Sequence, residues 1–376
     1  MASPFQGYDI YPGLDVKGAV APAVRELLLK WNTALLGALQ MVPEEQWRWA
    51  DALTGLTEGM FDGRIPLDVT ALDGFEEFTG ERDYKTIDVI ALRLEAREFY
   101  RAYKYPILFQ MFGPPQIKEI YNALTTPQQM MDQARTMRAR LAATVLMKGT
   151  ESVNQVKVYT GNDIPGANLP LFSKTTQHYA NPADKNSRRF KNYFTGQGKF
   201  DIAALRKTRQ NMRAIPAATL SAETLGLQVT HILGPTHMEE PFNTVKLQLN
   251  TIQTATVNGN GVAAGVTNIY AQGNFPIEYM IAPSLDADPY LQAWKDAHPS
   301  AEPGDYPHLW FAISQSNKAM RPIEMMSPGA GFAPRVMFLG EETDKAKETK
   351  HIHVIADLEG GASAGFPHCI ARYEEL

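Results

Sequence analysis

The chain has 376 residues, with 41 acidic against 36 basic side chains and a formal net charge of -5. Hydrophobic residues at 44% and charged residues at 20% describe a globular chain rather than a disordered one, and 25 prolines with 28 glycines imply many turns. The balance of charge gives no basic pull toward nucleic acid, the single cysteine, Cys369, excludes an intrachain disulfide framework and suits a reducing cytoplasm, and no apolar run reaches membrane-spanning length.

An extended stretch runs to Ala21. Pro22 then opens a helical pattern whose stripe is Val24, Leu28, Trp31 and Leu35, ending at Met41 to Pro43. Residues 51–74 are rich in Gly, Asp and Thr without a period and read as a loop-like arm. From Phe75 to Leu108 the chain is densely charged, β-branched and aromatic, with one internal turn residue, Gly80. Within it Ile90, Leu92 and Leu94 alternate with Arg93, Glu95 and Arg97, the period of a strand covered on one face. Leu92, Ala96, Phe99 and Tyr103 also recur at helical spacing, so pattern alone leaves strand and amphipathic helix open. As a strand it has no hairpin partner nearby, and its partner is expected on another molecule.

Thr126-Pro127 supplies an N-cap and a first-turn proline, and Met130, Ala134, Met137, Leu141 and Val145 follow at helical spacing to Gly149. The stripe reads as core, and Arg135, Arg138 and Arg140 as a solvated face. Residues 158–200 form a polar insertion, after which Asp201 caps a helix through Met212 with Ile202, Leu205 and Met212 facing inward. Arg206, Lys207, Arg209 and Arg213 on that helix read as a solvated face rather than a phosphate site. Short apolar runs follow at Val229 to Leu233, Ile277 to Ala282, Leu309 to Ile313, Val336 to Leu339 and His351 to Ala356, and the class predicted is α+β.

Catalytic signals are weak. Gly361-Ala362-Ser363-Ala364-Gly365 matches the G-x-S-x-G elbow, but Phe366-Pro367 blocks the helix that must follow, so a glycine turn is expected. His351 and His353 share one face of a strand with Asp357 further on, yet no third histidine or acidic cluster completes a metal site, and solvent-facing histidines are expected. His178 reads as a loop hydrogen-bonder. A hydrolase around His351, His353, Asp357 or Ser363 is the alternative from another class, and a nucleic-acid binder using Arg188, Arg189, Lys191 and the Arg206 helix is a further one. Neither a cofactor nor a metal is expected.

The order of these features resembles the major head subunit of Mu-like tailed phages. Glu77-Phe78-Thr79-Gly80-Glu81-Arg82 is similar to the family's start of an extended loop, and Phe99 to Leu108 to its returning strand. Ile120-Tyr121 with the Met130 to Gly149 helix, then Tyr159-Thr160-Gly161, Leu171-Phe172-Ser173 and His178, resemble the long helix and the insertion after it. Phe200 to Met212, Val229 to Pro235, Gly273 to Pro283, Trp310 to Ile313 and Arg321-Pro322-Ile323 continue the likeness. The departures are Thr160 in place of an aspartate and residues 162–169, which look inserted.

The resemblance implies the Hong Kong 97 type capsid fold: an N-terminal arm at 1–74, an extended β-hairpin loop at 75–108, a peripheral domain with a long spine helix at 109–157 plus 341–376, and an axial domain at 158–340. It implies a non-enzymatic shell subunit, assembling as hexamers and pentamers around double-stranded DNA held by nonspecific contact. An encapsulin-like shell is the structural alternative. Portal protein, scaffold and decoration proteins are the further partners implied, with no membrane, and with assembly in the bacterial host cytoplasm and residence in the virion. Glu81, Arg82, Arg93, Glu95, Arg97 and Arg101 in the extended loop are the implied inter-subunit contacts. With that family in view, Phe75 to Leu108 is expected to be a two-stranded arm.

Overall fold

A computed structural model describes residues 9–17, 22–40, 45–58, 62–68, 89–106, 125–151, 165–217, 224–247, 250–257, 260–267, 276–315, 320–327, 333–340 and 343–375. The chain opens with β1 (Leu14–Lys17), α1 (Pro22–Gln40) and α2 (Glu45–Leu53). Four strands follow: β2 (Thr54–Glu58), β3 (Asp62–Asp68), β4 (Val89–Glu95) and β5 (Arg97–Pro106). Then comes the longest helix, α3 (Thr125–Met147). Short strands β6 (His178–Tyr179), β7 (Arg189–Phe190) and β8 (Tyr193–Phe194) lead to α4 (Ile202–Arg213). The rest runs β9 (His231–Gly234), α5 (Glu239–Leu247), β10 (Asn250–Val257), β11 (Asn260–Thr267), β12 (Glu278–Ile281) and α6 (Pro289–Ala297). It closes with β13 (Leu309–Ile313), β14 (Ile323–Ser327), β15 (Arg335–Leu339), α7 (Asp344–Thr349), β16 (His351–Ala364) and β17 (Ile370–Glu374). The class is α+β, as the alternation of helical and strand patterns predicts.

Two mixed sheets organise the body. In the first, of order β1-β15-β16-β14-β2 with β5 also on β16, the fourteen-residue β16 is the hub. It pairs antiparallel with β15 through His353 to Asp357, with β14 through Gly361 to Ala364, and with β5 from His351 to Gly360. The second sheet has the order β12-β9-β13-β17-β8. Its middle strand β13 reads as an unbroken apolar run because both faces are covered. Leu309, Phe311 and Ile313 of β13 enter one core cluster, and Trp310 and Ala312 enter another with Ala371 and Tyr373 of β17. Trp310 stacks on Tyr373 at 5.4 Å and donates to Thr208 of α4 at 3.3 Å. Asp201 caps α4 through the Ala204 amide at 2.7 Å, and Ile202, Leu205 and Met212 are buried as the stripe predicts.

Helix α3 joins the clusters along about 35 Å of length. Met130 and Met131 pack with Trp31 and Leu35 of α1, while Ala134 to Leu146 pack under the sheets. Half of its buried residues are alanine (Ala134, Ala139, Ala142, Ala143), which lets neighbouring backbones approach closely. The arginines expected to be solvated are partly structural. Arg138 pairs with Asp51 at 2.6 Å and donates to Thr54, and Arg135 donates to the Ala38 carbonyl at 2.7 Å, tying α3 to α2 and α1. Arg140 is exposed.

Several expectations are corrected. Residues 51–74 are not all loop, because Thr54–Glu58 forms β2 in parallel register with β14, and Asp62–Asp68 forms β3. Strand, not helix, is what 89–106 adopts, but the partners belong to the same chain: β3 for β4 and β16 for β5. These pairings are long-range in sequence, so local periodicity carries no sign of them. The Gly361 to Gly365 segment is not a turn. Gly361 to Ala364 is extended in β16, and a Cβ at Gly365 would collide with the Arg321 carbonyl, which accounts for that glycine.

Candidate functional site

The surface richest in predicted contact residues is formed by β4, β5 and the outer side of α3. Ala96 is buried between the two strands, and Leu94 is buried from β4. Arg93 and Glu95 of β4 pair with Arg64 and Asp62 of β3 in the antiparallel register. On β5, Arg97 and Arg101 are exposed, as is Tyr100, which leaves 78% of its surface open. Arg101 donates to Gln133 of α3 and lies 5.5 Å from the Tyr103 ring centroid. Glu81 and Arg82 lie outside the described residues. Of the six, then, the fold brings Arg93 and Glu95 together on one ribbon and Arg97 and Arg101 together on the neighbouring edge strand. An open groove of about 340 Å3 runs between β5, β16 and α3, lined by Phe99, Tyr100, Met137, Arg140 and Leu358 among others. It is amphipathic: apolar at its floor and cationic at its rim, a shape suited to another polypeptide rather than to a small polar substrate.

Sequence reasoning missed the buried charges. The Arg372 guanidinium bonds both oxygens of Asp288 at 2.8 and 2.9 Å and Glu374 at 2.9 Å, with all three side chains buried. Burial works against the charge on Arg372, but Asp288 and Glu374 outweigh it and hold its pKa above the ordinary value. Asp288 also caps α6 by accepting from the Tyr290 amide at 3.0 Å, so one carboxylate serves a helix end and β17. Asn192 is a second knot, donating to the carbonyls of Leu171, Pro367 and Ile370 and accepting from the Ser173 amide at 3.0 Å. Only the Asp288-Pro289 cap was open to a sequence-based search.

Glu324 of β14 is buried between strands, and a Cβ on Gly55 of β2 would collide with its carboxylate. Burial raises its pKa to about 7, with the nearby Arg321 opposing the rise. His178 and His368 are also buried, each against Phe190, at 5.4 and 4.7 Å between ring centroids. His368 Nε2 lies 3.0 Å from the Ala180 carbonyl and donates to it. His178 Nε2 and His368 Nδ1 are buried without a hydrogen-bond partner. Burial pushes His368 down to about 4, and burial followed by the neighbouring His368 pushes His178 down to about 3. Both are therefore neutral at pH 7. His178 is a core residue, not a loop hydrogen-bonder.

The residues of the hydrolase alternative do not converge. Ser363 is buried on β16 opposite Glu324, ten residues along the strand from His353, a span of about 33 Å at strand rise. His353 is buried rather than solvent-facing, because its Nε2 meets the Thr349 hydroxyl at 2.8 Å where α7 turns into β16. His351 Nδ1 contacts the Thr349 carbonyl. Among the described residues no group of three or more His, Cys, Asp or Glu is placed to hold a metal ion. On α4, Arg206, Lys207 and Arg213 are exposed while Arg209 is buried, so the cationic patch is smaller than its sequence suggests. Arg189 is committed to Tyr179, donating to its hydroxyl at 3.1 Å and lying 4.7 Å from the ring centroid.

No family model matches the chain, and no curated protein matches it. Similar solved structures include shell proteins. The chain in the procapsid of bacteriophage JBD30 aligns over 95% of this chain and 77% of its own length, at 11% identity and a TM-score of 0.46. The capsid of cyanophage Pam1 aligns over 89% and 93%, at 11% identity and a TM-score of 0.43. The holo-SrpI encapsulin of Synechococcus elongatus aligns over 90% and 91%, at 9% identity and a TM-score of 0.41. Likenesses at these scores are distant, and the weight of the functional reading falls on the elements of this chain.

Proposed function

We propose that this chain is a shell-forming structural subunit, the major capsid protein of a Mu-like tailed phage with the Hong Kong 97 type fold. The observation that carries the reading is the order of elements in one chain: an N-terminal β1-α1 arm, a charged β3-β4 ribbon, the long helix α3, and two mixed sheets. The order follows the one the sequence resemblance implies with two differences: the ribbon joins β3 from the 1–74 segment to β4, and β5, expected as the returning strand of a two-stranded arm, pairs with β16. The proposed peripheral domain is 109–157 plus 341–376, built on α3 and β16, and the proposed axial domain is 158–340, whose sheet also takes in β17 from the C-terminal segment. The N-terminal arm is 1–74 and the extended loop 75–108. Exposed Arg97 and Arg101 on β5, with Arg93, Glu95, Glu81 and Arg82, are the proposed inter-subunit contacts of that loop. The subunits assemble as hexamers and pentamers in the bacterial cytoplasm around nonspecifically held double-stranded DNA, with portal, scaffold and decoration proteins as partners. The test is expression of the full chain, followed by sedimentation and negative-stain microscopy. Shells, hexamers or pentamers are expected, and nucleic acid rather than protein cargo inside native particles separates a phage head from an encapsulin. A stable monomer with hydrolytic activity lost on Ser363→Ala would overturn the reading.

A further inference from the structure

Besides the short β6-β7 pair, two longer ribbons in this chain pair with no third strand among the described residues: β3-β4 and β10-β11. They are built on opposite chemical plans. The β3-β4 ribbon carries Asp62, Arg64, Asp68, Arg93 and Glu95, with a proline at Pro66. Edge strand β5, free on one side among the described residues, carries Arg97, Glu98, Arg101 and Lys104. Charges and prolines at open edges prevent unintended strand addition, because a desolvated charge or a missing amide makes pairing unfavourable. The β10-β11 ribbon has none of these guards. Between Lys246 and Glu278 no residue is charged, and strands 250–257 and 260–267 contain no proline.

The ribbon is nevertheless well specified as a hairpin. Its register runs unbroken from Asn250 opposite Thr267 to Val257 opposite Asn260, and Asn258-Gly259 between the strands is the dipeptide favoured in tight hairpins. In that register Ala255 pairs with Val262, Thr251 with Val266, Ile252 with Gly265 and Thr254 with Ala263. Neither strand contains a charged residue. An isolated two-stranded ribbon is marginal in water. Leu247, the last residue of α5, leaves 72% of its surface exposed.

We infer that the β10-β11 ribbon is a contact between copies of this chain, adding edge to edge to the same ribbon of the neighbouring subunit. This rests on the shell-forming reading. Nucleic acid is disfavoured as the occupant because the ribbon has no cation to meet phosphate. A charged peptide finds no counter-charge there either. A second copy presents the same uncharged, unguarded edges. Around a rotation axis all hairpins point the same way, so β11 of one copy meets β10 of the next antiparallel, and a closed ring leaves no edge strand unpaired. The guarded β3-β4 ribbon and β5 edge then serve contacts made by side chains, and this ribbon serves contacts made by the backbone.

The test uses the full chain in assembled and unassembled forms. Amide hydrogen exchange across residues 250–267 is expected to slow about ten-fold or more on assembly, as newly paired edge amides become protected. Thr254→Lys with Val262→Lys places one guard on each strand at positions that are not register partners, and is expected to cut the assembled fraction about ten-fold without moving the thermal midpoint of the free chain. Equal exchange of 250–267 in the wild-type particle and the free chain overturns the inference while leaving the shell reading intact. Failure of the wild-type chain to assemble at all overturns both. A variant that does not fold leaves the exchange comparison, which needs no substitution, to decide.

Discussion

Glu324→Gln tests whether the junction of β2, β14 and β16 is closed over a carboxylate that resists ionisation. The carboxyl is buried and shifted from 4.5 to about 7 by that burial. The folded state therefore holds a proton that the unfolded chain has released, and stability contributed below about pH 4.5 is lost as the pH rises through about 7. At ~1.4 kcal/mol per pH unit, a rise from 4.5 to about 7 sets a ceiling of about 3 kcal/mol lost by pH 8. Glutamine keeps the shape and cannot ionise. Urea unfolding of the unassembled chain at pH 5 and pH 8 is expected to show the variant gaining on the wild type by about 1–3 kcal/mol between the two. A difference between variant and wild type that is the same at both pH values would refute the reasoning, because a carboxylate with free access to water has no such dependence.

Arg372→Ala is expected to cost about 3–5 kcal/mol in denaturant melts, because it leaves Asp288 buried and unpaired. His368→Gln keeps a donor near the Ala180 carbonyl but removes a group held down to about 4. The wild type loses stability as pH falls from 6.5 toward 4, by up to about 3 kcal/mol, and the variant is expected to lose less over that window in pH-dependent melts. Leu146→Ala, fully buried on α3, is expected to cost about 2–5 kcal/mol by chemical denaturation. Tyr100→Ser with Arg101→Glu is expected to lower the yield of sedimenting assemblies while the thermal midpoint of the free chain stays within a few degrees, since Tyr100 is largely exposed.

Much of the fold is legible in the sequence where the signal is local. The stripe of α1, the Asp201 cap of α4 and the all-apolar run of β13 each report a neighbourhood that the chain carries within a few residues. The residues proposed as contacts stand out in the sequence as a charged, alternating stretch, but their setting does not. Arg138 reads as solvated until Asp51 and Thr54 are placed beside it, and Ser363 reads as a glycine turn until β14 lies alongside.

By itself the sequence determined the class, the long helix, the strand period around Arg93 and the lack of any concentrated catalytic motif, because periodicity, capping and turn chemistry act over a few residues. Tertiary structure alone decided that β4 pairs with β3 and β5 with β16, that Arg372, Glu324, His178 and His368 are buried, and which open edges carry charge and which do not. Those properties depend on surfaces brought together from distant parts of the chain, and desolvation, the force that sets them, exists only once the surfaces have met.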